Sequence, residues 1–302
     1  MKKLTMICLV LMTIIPDAFY AQAESIFNGV ALEESLQDVK DKMSEVSASV
    51  KSISIREPSF PLSENSEDHL VCSQIQTENG MIEKAVFTFA DGQLKYIMAM
   101  GNVVHVFTKG RTKELQSYLD FEGYFQEGLL MNKKKDLAWI LTKDAMHPNL
   151  FSWENPYIHS DLEVESQVHN VPSFIKMGAT KDELKSVFEK YSIFTQEEEL
   201  DGSDPNAQVQ INCFGMDALG FPRKIEARFG ENKLNVVWIL TGKGEEARMR
   251  EALIQQYGEP IFINEDWEIF NDWQVGLRKD KPEVLLMERS IGLEYKKSYF
   301  GQ

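Results

Sequence analysis

Apolar positions recur along this chain with two different periods, and the switches between them mark out its elements. At Leu36, Val39, Met43 and Val46, and again at Leu184, Val187, Phe188 and Tyr191, the spacing is that of one face of a helix. A hydroxyl with an acid three residues on opens each run, Ser35 with Asp38 and Thr180 with Glu183. Such a pair satisfies the free N–H groups of a helix start. Further on the period falls to two. Ala85, Phe87 and Phe89 alternate with polar or small residues, Asp91-Gly92 supplies a turn, and Leu94, Tyr96 and Met98 resume the alternation. Ile225, Ala227 and Phe229, then Glu231-Asn232, then Leu234, Val236 and Trp238 repeat that pattern 140 positions later. Period-two patterning around a tight turn predicts a β-hairpin in each half.

A third match follows in the same order. Leu141-Thr142-Lys143-Asp144 resembles Leu277-Arg278-Lys279-Asp280, each closing an apolar run that contains Trp139 or Trp273. Three ordered matches point to a duplication, and a period this long means two domains rather than a solenoid. The length of 302 residues agrees, at ~150 residues per domain. A second helix in the later half is marked by Gly242-Lys243-Gly244, an apolar face of Met249, Ala252, Leu253 and Tyr257, and the stop Gly258 with Pro260. Its weaker counterpart is Leu115, Tyr118 and Leu119 ahead of Gly123. Each unit therefore reads helix, strand, hairpin, helix and two strands. The expected fold is α+β: two tandem duplicated units, 24–146 and 173–302, each an antiparallel sheet with helices on one face, joined by a linker at 147–172.

The first 23 residues follow a different logic. Lys2 and Lys3 precede an apolar run from Leu4 to Ile15, Pro16 breaks it, and Ala21-Gln22-Ala23 supplies small residues. That is the pattern of a secretory signal cleaved after Ala23, so the expected location is periplasmic or secreted. Cys8 lies within the apolar run after Ile7, unlike a lipid-anchor cysteine. Beyond Ile15 no apolar stretch approaches the ~20 residues needed to span a bilayer, so no stable membrane insertion is expected. Removing the leader leaves 30 basic and 46 acidic residues, a net charge of −16 against −15 for the whole chain. Nucleic acid and anionic membrane surfaces would repel such a chain, and a basic protein partner would suit it.

Little chemistry is legible. Nucleophile elbows, zinc-protease motifs, phosphate loops and paired CxxC motifs are missing, and no catalytic residue, metal or cofactor is expected. Gly242-Lys243-Gly244 reads as a strand-to-helix turn. His147, His159 and His169 stand beside Asp161, Glu163 and Glu165 at separations that match no short chelating motif. Glu197-Glu198-Glu199 reads as a solvated charge run, and Lys133-Lys134-Lys135 as protection of a strand edge. Cys72 and Cys213 fall on equivalent strands, either as buried thiols or as an interdomain disulfide. The candidate partner-binding residues are the aromatics Trp153, Tyr157, Trp267 and Trp273.

Gly178-Ala179-Thr180 opening a helix with Leu184, and Tyr257-Gly258-Glu259-Pro260 closing one, resemble the tandem helix-plus-sheet domains of β-lactamase inhibitor protein and small outer-membrane assembly lipoproteins. Glu33 replaces the glycine in the first copy, and the lipid-anchor cysteine is missing. The resemblance implies an inhibitor-like or envelope-associated role. Together these readings give a non-enzymatic protein-binding module acting through the groove between its units. The alternative is a hydrolase whose site assembles at that groove from residues distant in sequence.

Overall fold

The computed structural model describes residues 21–146, 153–160, 170–280 and 283–302. In the first unit α1 (Ala21–Ile26) and α2 (Leu36–Val46) lead into β1 (Ser47–Ile55), β2 (Glu67–Thr77), β3 (Gly80–Ala90) and β4 (Gln93–Met100). A short α3 (Val103–Thr108) precedes β5 (Gln116–Tyr118), β6 (Phe121–Tyr124), β7 (Leu129–Asn132) and β8 (Leu137–Leu141). The second unit repeats the plan: α4 (Lys181–Tyr191), then β9 (Phe194–Glu199), β10 (Val209–Ala218), β11 (Phe221–Gly230) and β12 (Lys233–Leu240). There follow α5 (Glu246–Tyr257), β13 (Phe262–Ile263), β14 (Trp267–Phe270), β15 (Val275–Arg278), β16 (Glu283–Met287) and α6 (Arg289–Ser298).

Each unit builds one eight-stranded antiparallel sheet. The orders are β1-β2-β3-β4-β8-β7-β6-β5 and β9-β10-β11-β12-β16-β15-β14-β13, the same topology twice. The likeness extends to single residues. Both hairpins carry an irregularity at positions 140 apart, between Thr88 and Phe89 and between Arg228 and Phe229. Both turns use left-handed residues, Asp91 and Gly92 at φ 48° and 81°, Glu231 and Asn232 at 51° and 60°. Ahead of the first long helix, the Leu94 amide donates to Glu34 and the Leu234 amide to Ala179. Glu33 adopts φ 70° where the second copy has Gly178 at 79°. A glutamate there does a glycine's task at a conformational cost.

Eight strands per unit exceed the five read from the sequence, because short strands such as β5, β6 and β13 carry too few residues to show a period. The first unit's second helix also lies elsewhere. Leu115, Tyr118 and Leu119 fit helical spacing, but Leu119 takes φ 54° in the β5–β6 turn. Tyr118 and Leu119 are exposed, whereas Val103, Val106 and Phe107 of α3 are buried. Burial decided between the two runs.

The helices α2 and α3 cover one face of the first sheet, with Phe27, Val39, Met43, Phe87 and Phe107 in the core; α4 and α5 cover the second sheet through Leu184, Phe188, Met249 and Leu253. The opposite faces are covered differently. Residues 153–160 lie over the first sheet's back face, and α6 lies over β12, β14 and β16 of the second. Among the described residues, no helix is long and apolar enough to cross a membrane.

Candidate functional site

The four aromatics named from the sequence are held inside the protein. Trp153, Tyr157, Trp267 and Trp273 are 6, 2, 5 and 6% exposed. Trp153 packs between Phe60 and Phe221 with ring centroids 5.5 and 5.1 Å away. Tyr157 lies 4.8 Å from the His69 ring, and Trp267 and Trp273 both pack on Phe300. The segment that carries Trp153 and Tyr157 seals a sheet face instead of presenting them to a partner. The cysteines occupy different cores and carry free thiols, so the disulfide alternative is not formed. Their equivalence holds: Cys72 pairs with Ala85 and Cys213 with Ile225. Burial pushes both thiols up to about 12, against a smaller opposing effect of the Ser47 and Ser192 hydroxyls. Such thiols are poor nucleophiles.

Sequence reasoning missed a hydroxyl–imidazole–carboxylate chain under residues 153–160. His69 Nε2 lies 2.8 Å from Glu67 Oε1, and its Nδ1 lies 3.2 Å from Thr88 Oγ1. Asn155 Nδ2 donates to Thr88 Oγ1 at 2.9 Å and sits 3.1 Å from His69 Nδ1, while Asn155 Oδ1 accepts from the Tyr157 amide. Burial works to raise the Glu67 pKa, but His69 and the amides of Phe60 and Ser59 outweigh it and hold the carboxyl below its ordinary value. These are the groups of a nucleophilic relay. All four are buried, and Asn155 fills the place a substrate carbonyl would need. Sequence distance hid the cluster: Asn155 comes from 86 residues beyond His69.

A second buried cluster lies in the second unit where it meets the first. Arg223 grips Glu245 with two bonds, Nη1 to Oε2 at 2.9 Å and Nη2 to Oε1 at 2.7 Å, and donates to the carbonyls of Ala218 and Leu219. Burial works against the Glu245 charge, yet Arg223 and the Gly242 amide keep its pKa lowered. One turn along α5, Arg248 reaches the first unit and donates to the carbonyls of Ser63 and Phe60. A Cβ on Gly242 would stand 2.6 Å from Pro61, so Gly242-Lys243-Gly244 is where the backbones of the two units close on each other. The expected groove between the units is filled here by Phe60, Trp153 and Phe221.

The open chemistry lies on the back face of the second sheet, beyond the edge of α6. Equivalent rows of the two sheets differ there. Across β2, β3 and β4 the row is Val71, Val86 and Met98; across β10, β11 and β12 it is Asn212, Glu226 and Trp238. The next row replaces His69 and Thr88 by Gln210 and Arg228. Glu198 of β9 accepts from Gln210 Nε2 at 2.9 Å and Asn212 Nδ2 at 2.8 Å. Arg228 donates to Gln210 at 2.7 Å and to Glu226 at 3.0 Å, and Lys224 pairs with Glu226 at 2.8 Å. Burial works to raise the Glu226 pKa and the two cations more than offset it, holding the carboxyl below its ordinary value. The only hint in the sequence was Glu226 and Arg228 standing at the polar positions of an otherwise repeated hairpin.

Beside this face runs β9, the outermost strand of its sheet, bearing Glu197, Glu198 and Glu199. The acidic run read as a solvated loop is thus a strand edge. Lys133, Lys134 and Lys135, read as edge protection, occupy the interior β7–β8 turn and pair with Glu122, Asp120 and Glu154. His159 lies 3.4 Å from Glu154, while His147, His169, Asp161, Glu163 and Glu165 fall outside the described residues. Among the described residues no three His, Cys, Asp or Glu side chains come together as a metal site. A cavity of about 150 Å³ lies between Val171–Met177 and Gln256, away from both clusters. No protein-family model, characterised protein or solved structure matches the chain.

Proposed function

We propose that the chain is an exported, non-enzymatic binding module that meets a basic protein partner in the periplasm or outside the cell. The observation that carries the reading is β9: an outermost strand, with one row of backbone groups facing away from its sheet, that bears three consecutive glutamates. A strand edge invites pairing, and although Lys181 and Lys185 of α4 hold Glu197, the exposed carboxylates of Glu198 and Glu199 favour an extended segment rich in Lys or Arg and oppose a second acidic copy of this chain. The leader-like start, with Lys2, Lys3 and the Leu4–Ile15 run, supports export. The resemblance to β-lactamase inhibitor protein and assembly lipoproteins points the same way. For the hydrolase alternative, the constellation of suitable groups found among the described residues, Thr88, His69 and Glu67, lies buried under Asn155 and Tyr157, which favours the binder.

The test is affinity capture from the host's own envelope and medium, with the mature protein beside a Glu199→Lys variant, at low and high salt. One partner held in stoichiometric amount, released by salt and lost in the variant, is the expected result. Retention indifferent to both changes, or none at all, would sink the proposal.

A further inference from the structure

We propose that the polar back face of the second sheet, built on Asn212, Glu226, Trp238, Gln210, Arg228 and Glu198, is a binding site for a neutral oligosaccharide. It adjoins the acidic edge of β9 and shares Glu198 with it, and its ligand is of another class.

The internal duplication shows where this fold offers a seat. On the first sheet, residues 153–160 settle over the row Val71, Val86 and Met98 and send Asn155 to His69 and Thr88. At the matched positions of the second sheet the apolar row has become amide, carboxylate and indole, and α6 lies alongside, with Tyr295 and Phe300 in the cluster that Trp238 joins. Neighbouring strands lie ~4.8 Å apart, so the three side chains form a line about 10 Å long, the scale of a short oligosaccharide.

Charge selects the occupant. The patch holds two cations, Lys224 and Arg228, both paired with Glu226, and a second anion, Glu198, held by the amides of Gln210 and Asn212. An anionic ligand would meet the glutamates and a cationic one the basic pair. A neutral polyhydroxyl ligand meets neither penalty, and each hydroxyl both donates and accepts. The network leaves groups of both kinds for it: among the described residues, Arg228 Nη1 and Glu198 Oε2 have no partner. The amides of Gln210 and Asn212 are buried and fixed by Glu198 and Arg228, so the array is preorganised. The half-buried Trp238, tilted against Trp267 with ring centroids 6.3 Å apart, offers apolar surface of the kind against which the C–H side of a sugar ring packs.

The experiment titrates the mature protein with cello-, manno- and chito-oligosaccharides, and with oligogalacturonides as the charged control, by calorimetry and tryptophan fluorescence. Two variants accompany it. Trp238→Ala removes the platform, and the exposed Glu198→Ala removes the anchor of both amides; thermal unfolding confirms that each folds. One neutral series should bind, and both variants should weaken it by about tenfold or more. Glu199→Lys, which tests the protein-binding edge, should leave it unchanged. No binding of any neutral series at millimolar concentration would overturn the assignment. So would binding of the uronic series alone, or undiminished binding by both folded variants.

Discussion

Replacing Glu245 by Gln keeps the shape of the joint between the units and removes one charge from a fully buried pair. In the native protein Arg223 gives two N–H groups to Glu245 and others to the Ala218 and Leu219 carbonyls. A neutral amide cannot accept both bonds without turning an N–H toward a donor, and it strands the Arg223 charge away from water. Breaking a buried pair in this way costs about 3–5 kcal/mol. At roughly 2–4 °C per kcal/mol, the melting temperature should fall by about 6–20 °C in calorimetry at neutral pH. The double variant Arg223→Met/Glu245→Leu removes both charges and should be less destabilised than Glu245→Gln, because no uncompensated ion remains. The Glu245 pKa is lowered in the folded state, so its contribution is complete above the unfolded value of about 4.3 and is lost as pH falls through the folded value. The wild type should therefore lose stability on acidification below about pH 4.3 more steeply than the double variant. A Glu245→Gln protein within about 1 kcal/mol of wild type, or a double variant worse than either single one, would refute the account of the joint.

Three more outcomes follow from the geometry. Gly242→Ala places a Cβ 2.6 Å from Pro61 and should force the units apart at that point, seen as faster proteolysis of the 56–66 segment; an unchanged digestion pattern would count against close packing there. Trp153→Ala empties the space between Phe60 and Phe221 and should cost about 3–5 kcal/mol in urea unfolding, whereas a loss below about 1 kcal/mol would mean that the segment does not seal the sheet. Cys72 and Cys213, raised to about 12 and buried, should resist a thiol reagent in the native state and label fully once unfolded. Rapid native labelling of either would contradict their placement.

The sequence showed the duplication because it is written in side-chain period, turn chemistry and helix starts, all local properties. Thr180 and Glu183 form the expected capping box, and Asp91-Gly92 and Glu231-Asn232 form the expected turns. Short strands were lost for want of residues, and the first unit's second helix was misplaced because three apolar residues can satisfy two periods at once. The candidate sites were less legible still. The Glu67–His69–Thr88–Asn155 cluster and the Arg223–Glu245 pair each join elements that only tertiary contact brings together. Trp153 and Tyr157 illustrate the same limit. A linker's composition says nothing about whether it crosses open solvent or lies down on a sheet.

The strand order also dictates how each unit must assemble. The strands β1 to β4 form a meander that needs only neighbours in sequence, and β5 to β8 form another. A single pairing joins them: β4 with β8 in the first unit, β12 with β16 in the second. In the first unit that seam pairs Met98 with Trp139 and Ile97 with Ile140, bridging a whole half-sheet of intervening chain. Loop-closure entropy must be met before the seam returns any contact, so topology makes its zipping the expected slow step of folding, completed only when each unit's last strand is present. A chain delivered from its N-terminus completes the first sheet, with its covering segment, before the central strand of the second exists. The repeated topology thereby becomes a timetable, in which a finished first unit no longer offers β4 to the wrong partner.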